Sequence, residues 1–142
     1  MKRIILATFV CLTCLFLGNS CTKENNADAF VGIYNVSVVE NVTWGNSSGT
    51  LTDSGVLSIT KVSGSRVKLS GFISTYGEVT GSSIYLESST ASDASGTITT
   101  VFGTGILSGN VLSLSATSTG QLKNNGVFYP FSSFDRFTCV KQ

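Results

Sequence analysis

The stretch Val31-Gly32-Ile33-Tyr34-Asn35-Val36-Ser37-Val38-Val39-Glu40-Asn41 decides how this chain folds. Tyr34, Val36 and Val38 alternate with Asn35, Ser37 and Val39, a period of two that sends successive side chains to opposite faces of an extended strand. The same alternation returns as Leu57 and Ile59 against Ser58 and Thr60, then as Val67, Leu69 and Gly71 against Lys68 and Ser70. Tyr76 to Thr80, Ile84 to Ser88, Thr97 to Leu107, Val111 to Thr119 and Val127 to Val140 continue the series. No window of a dozen residues carries a sustained helical stripe, so residues 30–142 read as one all-β domain of eight strands.

Between these strands lie short turn signals: Ser63-Gly64-Ser65, Ser74-Thr75, Thr80-Gly81-Ser82, Ser108-Gly109-Asn110 and Asn124-Asn125-Gly126. Tight turns join strands that pair with each other, which implies an antiparallel meander. A meander closes as an up-and-down barrel without edges, whereas a sandwich needs long crossovers. The barrel is the expectation and the sandwich its alternative. Val42 to Thr52 and Ser89 to Gly96 read as the longer loops, and Pro130 marks the last strand as broken or on an edge, since proline lacks the donor a ladder needs.

Upstream of the β pattern the character changes. Lys2 and Arg3 precede the apolar run Ile4 to Leu17, a basic n-region and a hydrophobic core too short to span a bilayer. Gly18-Asn19-Ser20-Cys21 follows and resembles the lipobox of bacterial lipoproteins, in the looser form of Bacteroidota-type bacteria, with Gly18 where Leu, Val or Ile is usual. That resemblance implies a signal peptide over residues 1–20, cleavage before Cys21 and lipid attachment on Cys21. An ordinary secretory signal with an incidental thiol is the alternative. Residues 21–29 have no apolar period and read as a tether. Within it, Lys23-Glu24-Asn25 resembles a surface-export signal, which usually has a second acid after the first. The implied location is the outer membrane, lipid-anchored, with the cell surface or the periplasmic face as the exposed side.

Lys+Arg 9 against Asp+Glu 8 leaves a net charge of +1, which lacks the basic footprint of a nucleic-acid binder. There is no His, hence neither the commonest general base nor the commonest zinc ligand. Glu40, Asp53, Glu78, Glu87, Asp93 and Asp135 are scattered, and no carboxylate pair, EF-hand or phosphate-binding glycine loop is recognisable. A non-catalytic protein without a cofactor is expected. Cys139, in the apolar run Phe137-Thr138-Cys139-Val140, reads as a buried structural thiol.

Phe30-Val31-Gly32-Ile33-Tyr34 at the head of the first strand and Asp135-Arg136-Phe137 in the last resemble the lipocalin-like or calycin-like small lipoproteins of Bacteroidota-type bacteria. Calycin barrels open with Gly-x-Trp and lay an Arg or Lys of the final strand over that ring. Here Tyr34 stands for the Trp, and the resemblance implies that Gly32, Tyr34 and Arg136 close the barrel. Phe128, Tyr129, Phe131, Phe134 and Phe137 crowd ten residues of the last strand. Trp44, in the loop after the first, would then rim the open end with Phe128, Tyr129 and Phe131 as ligand-lining residues. Two functions follow from this reading: a membrane-anchored binding module for a small apolar ligand, or a structural or interaction protein of the cell surface with a packed interior. Cys21→Ser should abolish membrane retention and fatty-acid labelling; a variant that still labels and still partitions with membranes contradicts the lipobox.

Overall fold

The computed structural model describes residues 26–142. The expected signal peptide over residues 1–20 and the expected lipidation site Cys21 lie outside the described residues. The chain opens on a single helical turn, α1 (Ala27–Phe30), then forms ten strands: β1 (Gly32–Trp44), β2 (Ser47–Lys61), β3 (Arg66–Gly71), β4 (Thr75–Thr80), β5 (Ser83–Leu86), β6 (Ser89–Asp93), β7 (Gly96–Phe102), β8 (Thr104–Ser108), β9 (Val111–Asn124) and β10 (Val127–Lys141). All belong to one antiparallel sheet, in the order β10-β1-β2-β3-β4-β5-β8-β9-β7-β6, with β10 also paired to β9. That second pairing closes eight of the strands into a ring.

Ten strands replace the expected eight because Thr97 to Leu107 divides into β7 and β8 and the expected loop Ser89 to Gly96 contains a further strand, β6. Ser83 faces Ile106 and Ser89 faces Thr100, so β5 with β6 and β7 with β8 form one hairpin in a single register. Along β9 the register shifts: Phe102 faces Ala116 but Ile106 faces Ser113, so this side holds one residue more than its partner. The extra residue makes a β-bulge around Gly103, which re-aims β7 and β6 away from the line of β8. The stretch Val42 to Thr52, expected as a loop, is instead strand on both sides of a tight Gly45-Asn46 turn, and Ser89 to Gly96 contains β6. Pro130 sits within an unbroken β10, one residue past the end of its pairing with β1 at Trp44↔Phe131, where its carbonyl accepts from Gly45 N–H of the β1–β2 turn at 2.9 Å and the ladder asks for no donor from it. Asn125 and Gly126 both take positive φ (50° and 86°), the backbone of a two-residue hairpin that joins β9 to β10.

The inward phase of each strand fills the lower ring. Tyr34, Leu57, Ile59, Val67, Leu69, Val79, Ile84, Leu112 and Cys139 are all buried there. Each full burial of an aliphatic side chain contributes about 1.5–3 kcal/mol. The residues just before β1 plug the base of the ring. Ala27 and Phe30 are fully buried, so the expected tether ends earlier than Ala29. Tyr34 Oη donates to the Phe30 carbonyl at 2.7 Å, tying the plug to β1. Tyr34→Phe should lower stability by about 1–3 kcal/mol, the cost of leaving a buried carbonyl unpaired; an unchanged denaturation midpoint would show that the plug is held by packing alone.

Candidate functional site

At the base, the expected closure contact is made by a different residue. Tyr34 faces Lys141 across the β1–β10 ladder, and Lys141 Nζ lies 5.9 Å from the centre of the Tyr34 ring. It also donates to the Ala29 carbonyl at 3.2 Å. Arg136 faces Val39, points outward, and lies over Phe134 at 5.2 Å. The reason is phase: Arg136 alternates with the inward Phe137, whereas Lys141 shares the inward phase of Phe137 and Cys139. Gly32, at φ +153°, makes room for this contact, since a Cβ there would meet Lys141 Cε at 2.5 Å.

The opposite end is open because the strands differ in length. β3 and β4 have six residues each, against 13 in β1 and 15 in both β2 and β10. β2 pairs with β3 only from Leu57 to Lys61, so among the described strands its first half has only β1 as a neighbour. The β3–β4 connection lies across the inside at this height, with Ile73 buried and the Phe72 ring against Gly55, where a Cβ would strike it. Above that floor is an open cleft of about 320 Å³.

Glu40, Asp53 and Asp135 all line this cleft, with Val38, Phe72, Phe102 and Phe137 as apolar wall and Thr100 and Ser118 as hydroxyl neighbours joined at 2.9 Å. Glu40 and Asp135 face each other directly across β1 and β10. Asp135 is only 9% exposed and Ser133 4%, and neither Asp135 Oδ1 nor Ser133 Oγ has a hydrogen-bond partner among the described residues. Burial pushes the Asp135 carboxyl above its ordinary value, partly offset by the neighbouring Ser133 hydroxyl, which lies close without making a formed hydrogen bond. Glu40 is raised first by burial, then by repulsion from Asp135, and again eased by Ser133. A desolvated carboxylate pair in a cleft is the pattern of a functional site.

These acids were missed in the sequence although their phase was visible. Glu40 continues the inward series Tyr34, Val36, Val38, and Asp135 precedes Phe137 and Cys139 in theirs, so each is a charge where an apolar residue belongs. The aromatic residues expected at the rim divide. Trp44 and Tyr129 meet edge to face, with centroids 6.2 Å apart, at the β1–β2 hairpin tip, and line a second shallow depression there. Phe131 faces Trp44 in register and is half-buried, while Phe128 lies exposed on the outer side beneath Lys123. None of these four lines the acid cleft. Cys139 is fully buried, and burial pushes its thiol up to about 11, which keeps it protonated and unreactive at neutral pH. Among the described residues no three His, Cys, Asp or Glu side chains converge to hold a metal ion.

Comparison with protein-family models, with curated proteins and with solved structures gives no match. Because the folded form holds the Asp135 and Glu40 protons to higher pH than the unfolded chain, their contribution to stability falls as pH rises from the ordinary carboxylate range through the raised values. Asp135→Asn should therefore raise the melting temperature at pH 7 and flatten this decline; a variant less stable than the parent at pH 7 contradicts an unpaired Asp135 carboxylate.

Proposed function

We propose that this protein is a lipid-anchored, non-catalytic binding module of calycin-like build, attached through Cys21 to the outer membrane, whose ligand occupies the cleft at the open end of the ring. One observation carries the reading. The inward face of the ring keeps Asp135 in the cleft wall with its buried Oδ1 lacking a hydrogen-bond partner among the described residues, and Ser133 Oγ beside it is buried and unpartnered too, where apolar side chains would have packed better. Buried polar groups without partners cost stability, and a ligand that supplies those partners accounts for their presence. The volume falls at the lower end of the range of small-molecule sites. The phenyl wall suits the apolar part of such a guest, and the acids require that it also carry a polar face.

The position of Cys21 in the sequence supports this role. Cys21 is six residues before Ala27, a reach of at most about 20 Å, and Ala27 is packed at the base of the ring. An acylated Cys21 would hold the plugged end close to the membrane and turn the cleft away from it, toward solutes or partners. The packed lower ring favours the second reading, a structural surface protein without a ligand. Native mass spectrometry of the full chain, extracted in mild detergent from its own host, separates the two. A ligand-binding module should show an added mass beyond the lipidated chain that is lost on denaturation and lost in the double variant Glu40→Gln, Asp135→Asn. The bare lipidated mass alone favours the structural reading.

A further inference from the structure

Resting on the cleft as the ligand site, we infer that the ligand is a small organic cation, an ammonium group carried on an aromatic or hydrocarbon body. Among the described residues the three titratable ones that line the cleft are Glu40, Asp53 and Asp135, and no described Lys or Arg lines it. Opposite charge is therefore missing where acids accumulate from three different strands. Asp135 is nine-tenths buried, its Oδ1 has no hydrogen-bond partner among the described residues, and its side chain forms part of the cleft wall. An anion would be repelled here. A neutral guest could offer a donor but would leave the desolvated charge uncompensated. A bare metal ion needs several acidic ligands at one point, and the described acids do not converge in that way.

An ammonium head meets these requirements together. It brings up to three N–H donors and a positive charge to the Glu40–Asp135 pair, with Asp53 close by on β2, on the other side of β1. The remainder of the cleft specifies the body that carries the head. Phe72 and Phe137 meet edge to face with centroids 6.4 Å apart, and Phe102 adds a third ring to the lining. Phenyl faces attract cations and bury hydrocarbon equally well, so a cation on an apolar body gains from both halves of the site.

Three probes of one shape test this on the full chain in detergent by titration calorimetry: benzylammonium, benzyl alcohol and benzoate. Benzylammonium should bind saturably, benzyl alcohol about tenfold or more weaker, and benzoate not at all, the discrimination expected of a charge-assisted hydrogen bond. Asp135→Asn should weaken benzylammonium by about tenfold or more while leaving the fold at least as stable. Asp53→Asn, on an exposed wall position, should weaken it less, and it carries the test together with Glu40→Gln if Asp135→Asn does not fold. Equal binding of benzyl alcohol and benzylammonium overturns the cation assignment and leaves the binding module standing. So does the failure of all three probes when native mass spectrometry still finds a guest. Failure of all probes together with a bare lipidated mass overturns both.

Discussion

The antiparallel ladder between β1 and β10 is the contact on which the rest of the molecule depends. It runs through eleven residue pairs, from Tyr34↔Lys141 to Trp44↔Phe131, and joins the two ends of the domain. Backbone hydrogen bonds satisfy both strands at once, leaving neither as an open edge in the lower ring. Its register also fixes composition inside: Val36 opposite Cys139 and Val38 opposite Phe137 build core, and the next inward pair is Glu40 opposite Asp135. A slip of one residue would turn every one of these side chains to the other face. Core and candidate site are thus consecutive steps of one ladder, and a mutation cannot shift one without the other.

Unequal strand lengths convert this ladder into a site. Where all eight strands are present the interior is packed, and the plug formed by Ala27 and Phe30 seals the base. Where β3 and β4 end, the floor formed by Phe72 and Ile73 stops the core, and the longer strands continue upward as an open sheet. The bulge at Gly103 swings β7 and β6 to one flank of that opening, so that Thr100 and Phe102 reach the cleft. The acids stand at the boundary between dry core and open cleft. There a carboxylate is desolvated enough to be unstable alone and accessible enough to be answered by a ligand.

Much of the fold was legible because apolar alternation marks any strand with one buried face. Tyr34, Val36 and Val38, Leu57 and Ile59, and Val67 and Leu69 all face inward as their period required. Strands exposed on both faces leave no such mark. Ser47 to Ser54 and Ser89 to Asp93 are exposed throughout, and their Ser, Thr and Gly content reads as loop. For that reason Trp44 was expected in a loop, when it ends a strand against a two-residue turn. The closing cation was misassigned for a different reason: Arg136 satisfied the motif by type, but only Lys141 satisfies it by phase. Glu40 and Asp135 were readable by the same rule of phase. Their pairing with each other was not, because it depends on a register between strands about a hundred residues apart.

The central claim is that Asp135 is held as a buried carboxyl group whose Oδ1 has no partner among the described residues. Carbon-13 NMR of the aspartate and glutamate side-chain carboxyls, followed through an acid titration of the full chain in detergent, measures this directly. The account predicts that the Asp135 resonance titrates above the ordinary value of 3.8, that Glu40 also titrates above 4.5, and that Asp135→Asn brings the Glu40 midpoint down by removing the repulsion between them. An Asp135 midpoint at or below 3.8 would mean that the carboxylate already has a donor, and would contradict the account.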